Sequence, residues 1–202
     1  MSAANSEKYI KSIAVFCASS EGNDEFIYQQ SYKLGKSLAE KNIDVIYGGS
    51  KLGLMGQVAK GALENDGIVF GVIPDFLKRK EIVHTGLTEL ITTKDMHERK
   101  LKIHEISDGF IMLPGGFGTF EEFFEILTWA QLGLHQKPIG LLNCEGYYND
   151  LLSMMNTMMT KGLLNPENME LLVVSDEIED LIKKMHEFEP LEKPKWMTEE
   201  QT

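Results

Sequence analysis

The sequence predicts an α/β fold, a single Rossmann-like, doubly wound domain on a mostly parallel sheet. Three observations carry that expectation. Short apolar runs alternate with longer helical patterns, and such alternation makes crossover units between parallel strands. Three of the runs end in small or glycine-rich segments, Cys17-Ala18-Ser19-Ser20, Tyr47-Gly48-Gly49-Ser50 and Pro114 to Thr119. Residues 108–122, Asp-Gly-Phe-Ile-Met-Leu-Pro-Gly-Gly-Phe-Gly-Thr-Phe-Glu-Glu, read as strand, glycine turn and helix.

The elements follow in order. Ser12–Cys17 is a buried strand run, and Phe26, Ile27, Leu34 and Leu38 give residues 25–41 helical spacing. Ile43–Tyr47 is a second strand, followed by a helix from Gly53 through Leu63. Ile68–Ile73 is a third strand, stopped by Pro74. Residues 75–94 are less regular, and the charge cluster Lys78-Arg79-Lys80-Glu81 reads as a solvated face. Asp95–Ser107 is helical, Gly109–Leu113 is a strand, and a helix runs from Thr119 to Leu132 with Gly133 just past its end. Pro138–Leu142 is a strand and Tyr147–Lys161 a helix. Leu171–Val174 is a last strand, and Ser175/Asp176 caps a final helix to His186. The expected organisation is one nucleotide-binding domain over residues 1–189 and a loose polar tail over 190–202, which carries Pro190 and Pro194.

Composition narrows the function classes. The chain has 202 residues with 20 basic and 31 acidic side chains, a formal net charge of −11. That balance argues against a nucleic-acid or anionic-membrane surface. Two cysteines, Cys17 and Cys144, give neither a disulfide framework nor metal spacing, and both sit in apolar stretches as buried thiols. No apolar stretch approaches the ~18 residues of a membrane span. The polar N-terminus lacks an apolar signal core, so a soluble cytoplasmic protein is expected.

The glycine turn is the strongest pointer to chemistry. It leaves backbone N–H groups free at the positive end of a helix, where a phosphate can sit. Two better-known glycine loops do not fit. The dinucleotide fingerprint needs a third glycine where this chain has Glu121, and the P-loop needs a Gly-Lys-Ser/Thr that is missing here. Glu121, Glu122 and Glu125 would repel a phosphate, so at least one carboxylate is expected to face an uncharged part of the ligand. Ligands of open parallel sheets bind outside the carboxyl ends of the strands. Ser19, Gly48, Gly49 and Gly115 therefore join the candidate site.

Two side chains admit two readings each. Arg99 falls on the apolar stripe of its helix between Met96, Ile103 and Ile106. Either its stem covers the core while the guanidinium reaches solvent, or it faces a pocket and holds an anion bidentately. Thr119-Phe-Glu-Glu122 fits a capping box, as Asp95-Met-His-Glu98 does, so Glu122 either caps its helix or lines a polar cavity. His97 and His104, seven residues apart, make no metal pair and read as solvated. Met154, Met155, Met158 and Met159 read as core, with a helix–helix dimer contact as the alternative.

Pro114-Gly-Gly-Phe-Gly-Thr-Phe-Glu-Glu122 resembles the Pro-Gly-Gly-x-Gly-Thr-x-x-Glu motif of the Lonely Guy family, cytokinin riboside 5′-monophosphate phosphoribohydrolases once labelled lysine decarboxylase-like. Met96-His-Glu-Arg-Lys100 resembles its second motif. Phe16–Ser20, Tyr47-Gly-Gly49 with Gly53-Leu-Met-Gly56, and Thr128–Gly133 through Lys137–Asn143 extend the likeness over roughly residues 12–185. Ser50 and Ala18 stand where the family often has glycine. The resemblance implies a homodimer with the site near the interface. It implies hydrolysis of the N-glycosidic bond of a nucleoside 5′-monophosphate, AMP or a cytokinin nucleotide, with no metal or other cofactor. Arg99 and Glu122 would be the catalytic pair. Lys100, Gly116, Phe117, Gly118, Thr119, Phe120 and Glu121 would line the ligand, with Glu81 and Thr128 nearby. The rivals are a non-catalytic nucleotide-binding protein on the same fold, a pyridoxal-phosphate decarboxylase using Lys100, and a dinucleotide-dependent oxidoreductase.

Overall fold

The computed structural model describes residues 10–78 and 83–191. Seven parallel strands form one sheet: β1 (Ser12–Phe16), β2 (Asp44–Tyr47), β3 (Val69–Pro74), β4 (Glu89–Thr93), β5 (Gly109–Met112), β6 (Ile139–Leu142) and β7 (Leu172–Ser175). Their spatial order is β4-β3-β2-β1-β5-β6-β7. β1, β5 and β6 are buried along their whole length, as strands covered on both faces must be. The chain reverses its direction of travel across the sheet between β1 and β5. That switch point opens a crevice at the carboxyl ends of these two strands.

Two helical layers cover the sheet. α1 (Glu25–Glu40), α2 (Gly53–Leu63) and α6 (Ile178–His186) pack on one face, burying Leu34, Leu38, Val58 and Leu181. α3 (Met96–Ile106), α4 (Phe117–Gln131) and α5 (Asn149–Thr160) pack on the other, burying Ile103, Phe123, Ile126 and Met155. α1 and α2 cross backbone to backbone. A methyl group on Gly35 would stand 2.0 Å from the Val58 carbonyl oxygen, and one on Gly61 2.0 Å from that of Tyr32.

The structure differs from the sequence expectations at four places. Residues 89–93 form β4, an edge strand inside the stretch read as irregular. Glu-Leu-Ile-Thr-Thr is only partly buried and shows no continuous apolar run. α4 begins at Phe117, two residues before Thr119, with Gly116 at its N-cap. α6 begins at Ile178. Ser175 does not cap it as expected; its hydroxyl accepts from the Glu177 amide and donates to Asp180. His104 is packed rather than solvated, stacked on Phe110 at 6.0 Å, and burial lowers its pKa to about 4.

Of the four methionines, Met155 joins the core while Met154 is exposed. Both cysteines are buried free thiols. Leu191 packs against the core and its carbonyl accepts from Gln136 Nε2 at 3.3 Å. Residues 192–202 of the expected tail lie outside the described residues, as do residues 79–82 of the charge cluster. Among the described residues no helix is long and apolar enough to cross a membrane.

Candidate active site

A cavity of about 320 Å³ lies at the switch point. Its wall comes from four places in the chain: Cys17–Ser20 after β1, Gly48 and Met55 after β2, Met96 and Arg99 of α3, and Gly116–Glu122 at the start of α4, without Phe120. Leu77 adds an apolar side chain from the segment after β3.

The buried pair at its floor is Arg99 and Glu122. Arg99 Nη1 donates to Glu122 Oε1 at 2.5 Å, and Arg99 Nε donates to the Val72 carbonyl oxygen at 3.0 Å. The two residues are 7% and 6% exposed. The guanidinium therefore does not reach solvent. It is single-pronged on the carboxylate, held at one end by the sheet and at the other by α4. Gly48 makes room for it, since a methyl group there would stand 2.7 Å from Arg99 Nη2. Burial raises the Glu122 pKa, and the adjacent Arg99 opposes that rise without cancelling it. Glu122 caps nothing: Gly116 occupies the N-cap and has no side chain to offer.

That missing cap matters to the cavity. The first hydrogen bond of α4 runs from the Phe120 amide to the Gly116 carbonyl. Among the described residues no acceptor faces the N–H groups of Phe117, Gly118 and Thr119. These orphan donors, aligned with the helix dipole, open on the cavity beside Thr119. Methyl groups on Gly116 or Gly118 would meet nothing within 4 Å, so this end of the site is open space.

The sequence candidates divide. Ser19, Gly48, Arg99, Gly116, Phe117, Gly118, Thr119, Glu121 and Glu122 line the cavity. Gly49 sits behind it, at φ +83° over the β3 residue Gly71. Gly115 packs against the Thr119 side chain. Phe120 turns away, edge-on to Tyr148 at 5.8 Å. Thr128 is exposed about three turns along α4. Lys100 lies outside the wall, where its ammonium bonds Glu121 Oε1 and, at 2.9 Å, Glu125 Oε1. Burial pulls the Lys100 pKa down, yet the two carboxylates outweigh it and the pKa rises. Glu81 lies outside the described residues. Met55, Leu77 and Met96 were not singled out as site residues. Their apolar character makes them look like core in a sequence, and only the bend after β3 brings Leu77 over the crevice.

A larger cavity of about 580 Å³ lies between the end of α4, residues 135–137 before β6, and residues 165–171. It is at the amino end of β6, away from the glycine turn, and His135 within it is spent on the Ile126 carbonyl and the Lys137 amide. The paired buried acid and base belong to the smaller cavity.

Comparison with known proteins shows the family. The family described as "Possible lysine decarboxylase" matches residues 55–185. Cytokinin riboside 5′-monophosphate phosphoribohydrolase LOG1 of Arabidopsis thaliana is 42% identical over 184 residues, covering 91% of this chain and 86% of its own. Its paralogue LOG3 is 42% identical over 88% of this chain and 83% of its own. The rice protein LOGL2, a probable enzyme of the same name from Oryza sativa subsp. japonica, is 41% identical over 93% of this chain and 79% of its own. Among solved structures, the molybdenum cofactor binding protein of Rippkaea orientalis shares the fold at a TM-score of 0.66 and 22% identity, covering 89% of this chain and 97% of that one. The Moco carrier protein of Chlamydomonas reinhardtii does so at 0.65 and 20%, covering 89% and 98%. The chain belongs to the Lonely Guy family of cytokinin riboside 5′-monophosphate phosphoribohydrolases.

Proposed function

We propose that this protein hydrolyses the N-glycosidic bond of nucleoside 5′-monophosphates, cytokinin riboside 5′-monophosphates and AMP, releasing free base and ribose 5-phosphate. The observation that carries the reading is the buried Arg99–Glu122 pair at 2.5 Å, one helical turn from three unpartnered amides. A 5′-phosphate on the amides of Phe117, Gly118 and Thr119 leaves Glu122 facing the sugar. The apolar side chains of Met55, Leu77, Met96 and Phe117 remain for the base.

Breaking a C1′–N bond passes through an oxocarbenium-like state, as O-glycoside hydrolysis does. The Glu122 carboxylate stabilises that developing charge and takes a proton from the attacking water. The water oxygen bonds C1′ while the C1′–N electron pair leaves with the base, which takes up the proton removed from the water and restores the Glu122 carboxylate. Arg99 favours the ionised form of Glu122 against burial and fixes its orientation. Lys100 is unsuited to a Schiff base, because Glu121 and Glu125 hold its amine protonated.

The protein acts in the cytoplasm as a homodimer on this reading. Free Cys17 and Cys144 support the compartment. Phe124 at 37% exposure on α4, Met154 at 53% on α5 and Leu163 at 81% just past α5 leave apolar surface for a second copy. Light scattering on the purified protein would read the dimer mass.

The deciding experiment offers AMP and an N6-substituted adenosine monophosphate and measures base release. Glu122→Gln is expected to lower it on the order of 10²-fold or more. Tight nucleotide binding without base release would replace the enzyme with a binding protein.

A further inference from the structure

We propose that Tyr147 and Tyr148 are positioning residues that hold the glycine turn in its anion-accepting form, Tyr147 by setting one peptide plane. The inference rests on the phosphate-binding reading of the turn. It comes from the loop after β6, of which the motifs above include only Asn143. Glu145 and Gly146 lie there at φ +48° and +73°. The Asn143 side chain closes the loop, accepting from the Tyr148 amide at 2.7 Å and donating to Asn149 Oδ1 at 2.9 Å. This tight bend delivers two adjacent tyrosines to the back of the turn, their rings edge-on at 4.9 Å.

Both hydroxyls are spent on the turn. Tyr148, fully buried, donates to the Leu113 carbonyl at 2.6 Å, and Tyr147 donates to the Gly115 carbonyl at 2.8 Å. Between them the Ala18 amide donates to the Pro114 carbonyl at 3.3 Å. Three consecutive carbonyls are thus drawn onto the protein. In a trans peptide the C=O and the following N–H point in opposite directions. Fixing the Gly115 carbonyl on Tyr147 therefore turns the Gly116 N–H the other way, toward the cavity that Gly116 lines. That N–H has no acceptor among the described residues. A Gly-Gly peptide has no side chain to keep its plane from rotating. The tyrosine hydroxyl supplies the restraint, and the turn presents a fourth donor ahead of the three on α4.

Tyr147→Phe removes one oxygen and keeps the ring contact, and Tyr147 is 47% exposed, so the variant leaves the core intact. The probe is ribose 5-phosphate, titrated by calorimetry into both proteins, with base release from AMP and its inhibition by adenosine measured alongside. Loss of one positioned donor is expected to raise the ribose 5-phosphate Kd and the AMP KM about three- to tenfold, with kcat within about twofold. Adenosine, which lacks the phosphate, should inhibit both proteins at the same concentration. Equal ribose 5-phosphate affinity overturns the brace. An equal loss of affinity for ribose 5-phosphate and adenosine with a lower melting temperature also overturns it, because the hydroxyl then serves stability alone. If the wild-type protein itself fails to bind ribose 5-phosphate, the phosphate reading falls first and the brace with it.

Discussion

Helices α3 and α4 meet at the site, yet they begin in opposite ways. The start of α3 is closed. Asp95 Oδ1 accepts from the Glu98 amide at 2.9 Å, and Glu98 Oε2 reaches back to the Lys94 amide at 2.7 Å. The start of α4 is open, with glycine at its N-cap and three amides facing a cavity. α1 follows α3, since Asp24 accepts from the Ile27 amide at 3.1 Å. A side-chain cap stabilises a helix by occupying its orphan donors. A helix that leaves them free forgoes that stabilisation and keeps the donors for a ligand. α4 recovers its hold on the protein further along, where Glu122 meets Arg99 inside and Glu121 and Glu125 meet Lys100 outside.

The contrast can be broken at either helix. Arg99→Ala has the largest expected effect, because it leaves Glu122 buried without its cation. Base release should fall on the order of 10²-fold or more, and unfolding should become easier by about 3–5 kcal/mol, read by kinetics and denaturant titration. The pH dependence comes next. The Glu122 pKa lies above its usual 4.5, so between those two values the folded protein binds more protons than the unfolded chain. This group's contribution to stability is thus full below pH 4.5 and is lost as pH rises through the folded pKa, a trend Glu122→Gln should abolish. Activity runs the other way, rising with pH about tenfold per unit until Glu122 ionises. Gly116→Asp would close α4 as α3 is closed. The side chain has room, so the melting temperature should hold or rise, while the KM for a nucleoside monophosphate climbs about tenfold or more as the new carboxylate takes the amides and repels phosphate. Asp95→Ala is the smallest and the complement. It should lower the melting temperature while leaving KM and kcat unchanged.

The parallel sheet was legible in the sequence because its central strands are unbroken apolar runs, and β4 was not because an edge strand carries glutamate and threonines. The site was legible where backbone chemistry dictates residue type, at the glycine turn and at the strand ends. Sequence alone left Arg99 between two readings, because helical periodicity places a stem but not a guanidinium; a Gly48 with no side chain and the Val72 carbonyl decide where it goes. The apparent capping box at Thr119 left Glu122 between two readings for a related reason. Spacing matched, but α4 starts two residues earlier and Thr119 is already inside it. The tyrosine brace left no trace as a motif, since its two residues act through hydroxyls on carbonyls 32 and 35 positions away.

The Arg99 anchor has a consequence for how the molecule comes into being. Its two bonds span 27 residues back to β3 and 23 forward to α4. Contacts of such separation form only after the intervening loops are closed. A partly folded chain, or one clipped between β3 and α4, keeps its local helices and loses the pair. On the proposed function, base release is thereby tied to β3, α3 and α4 being assembled together.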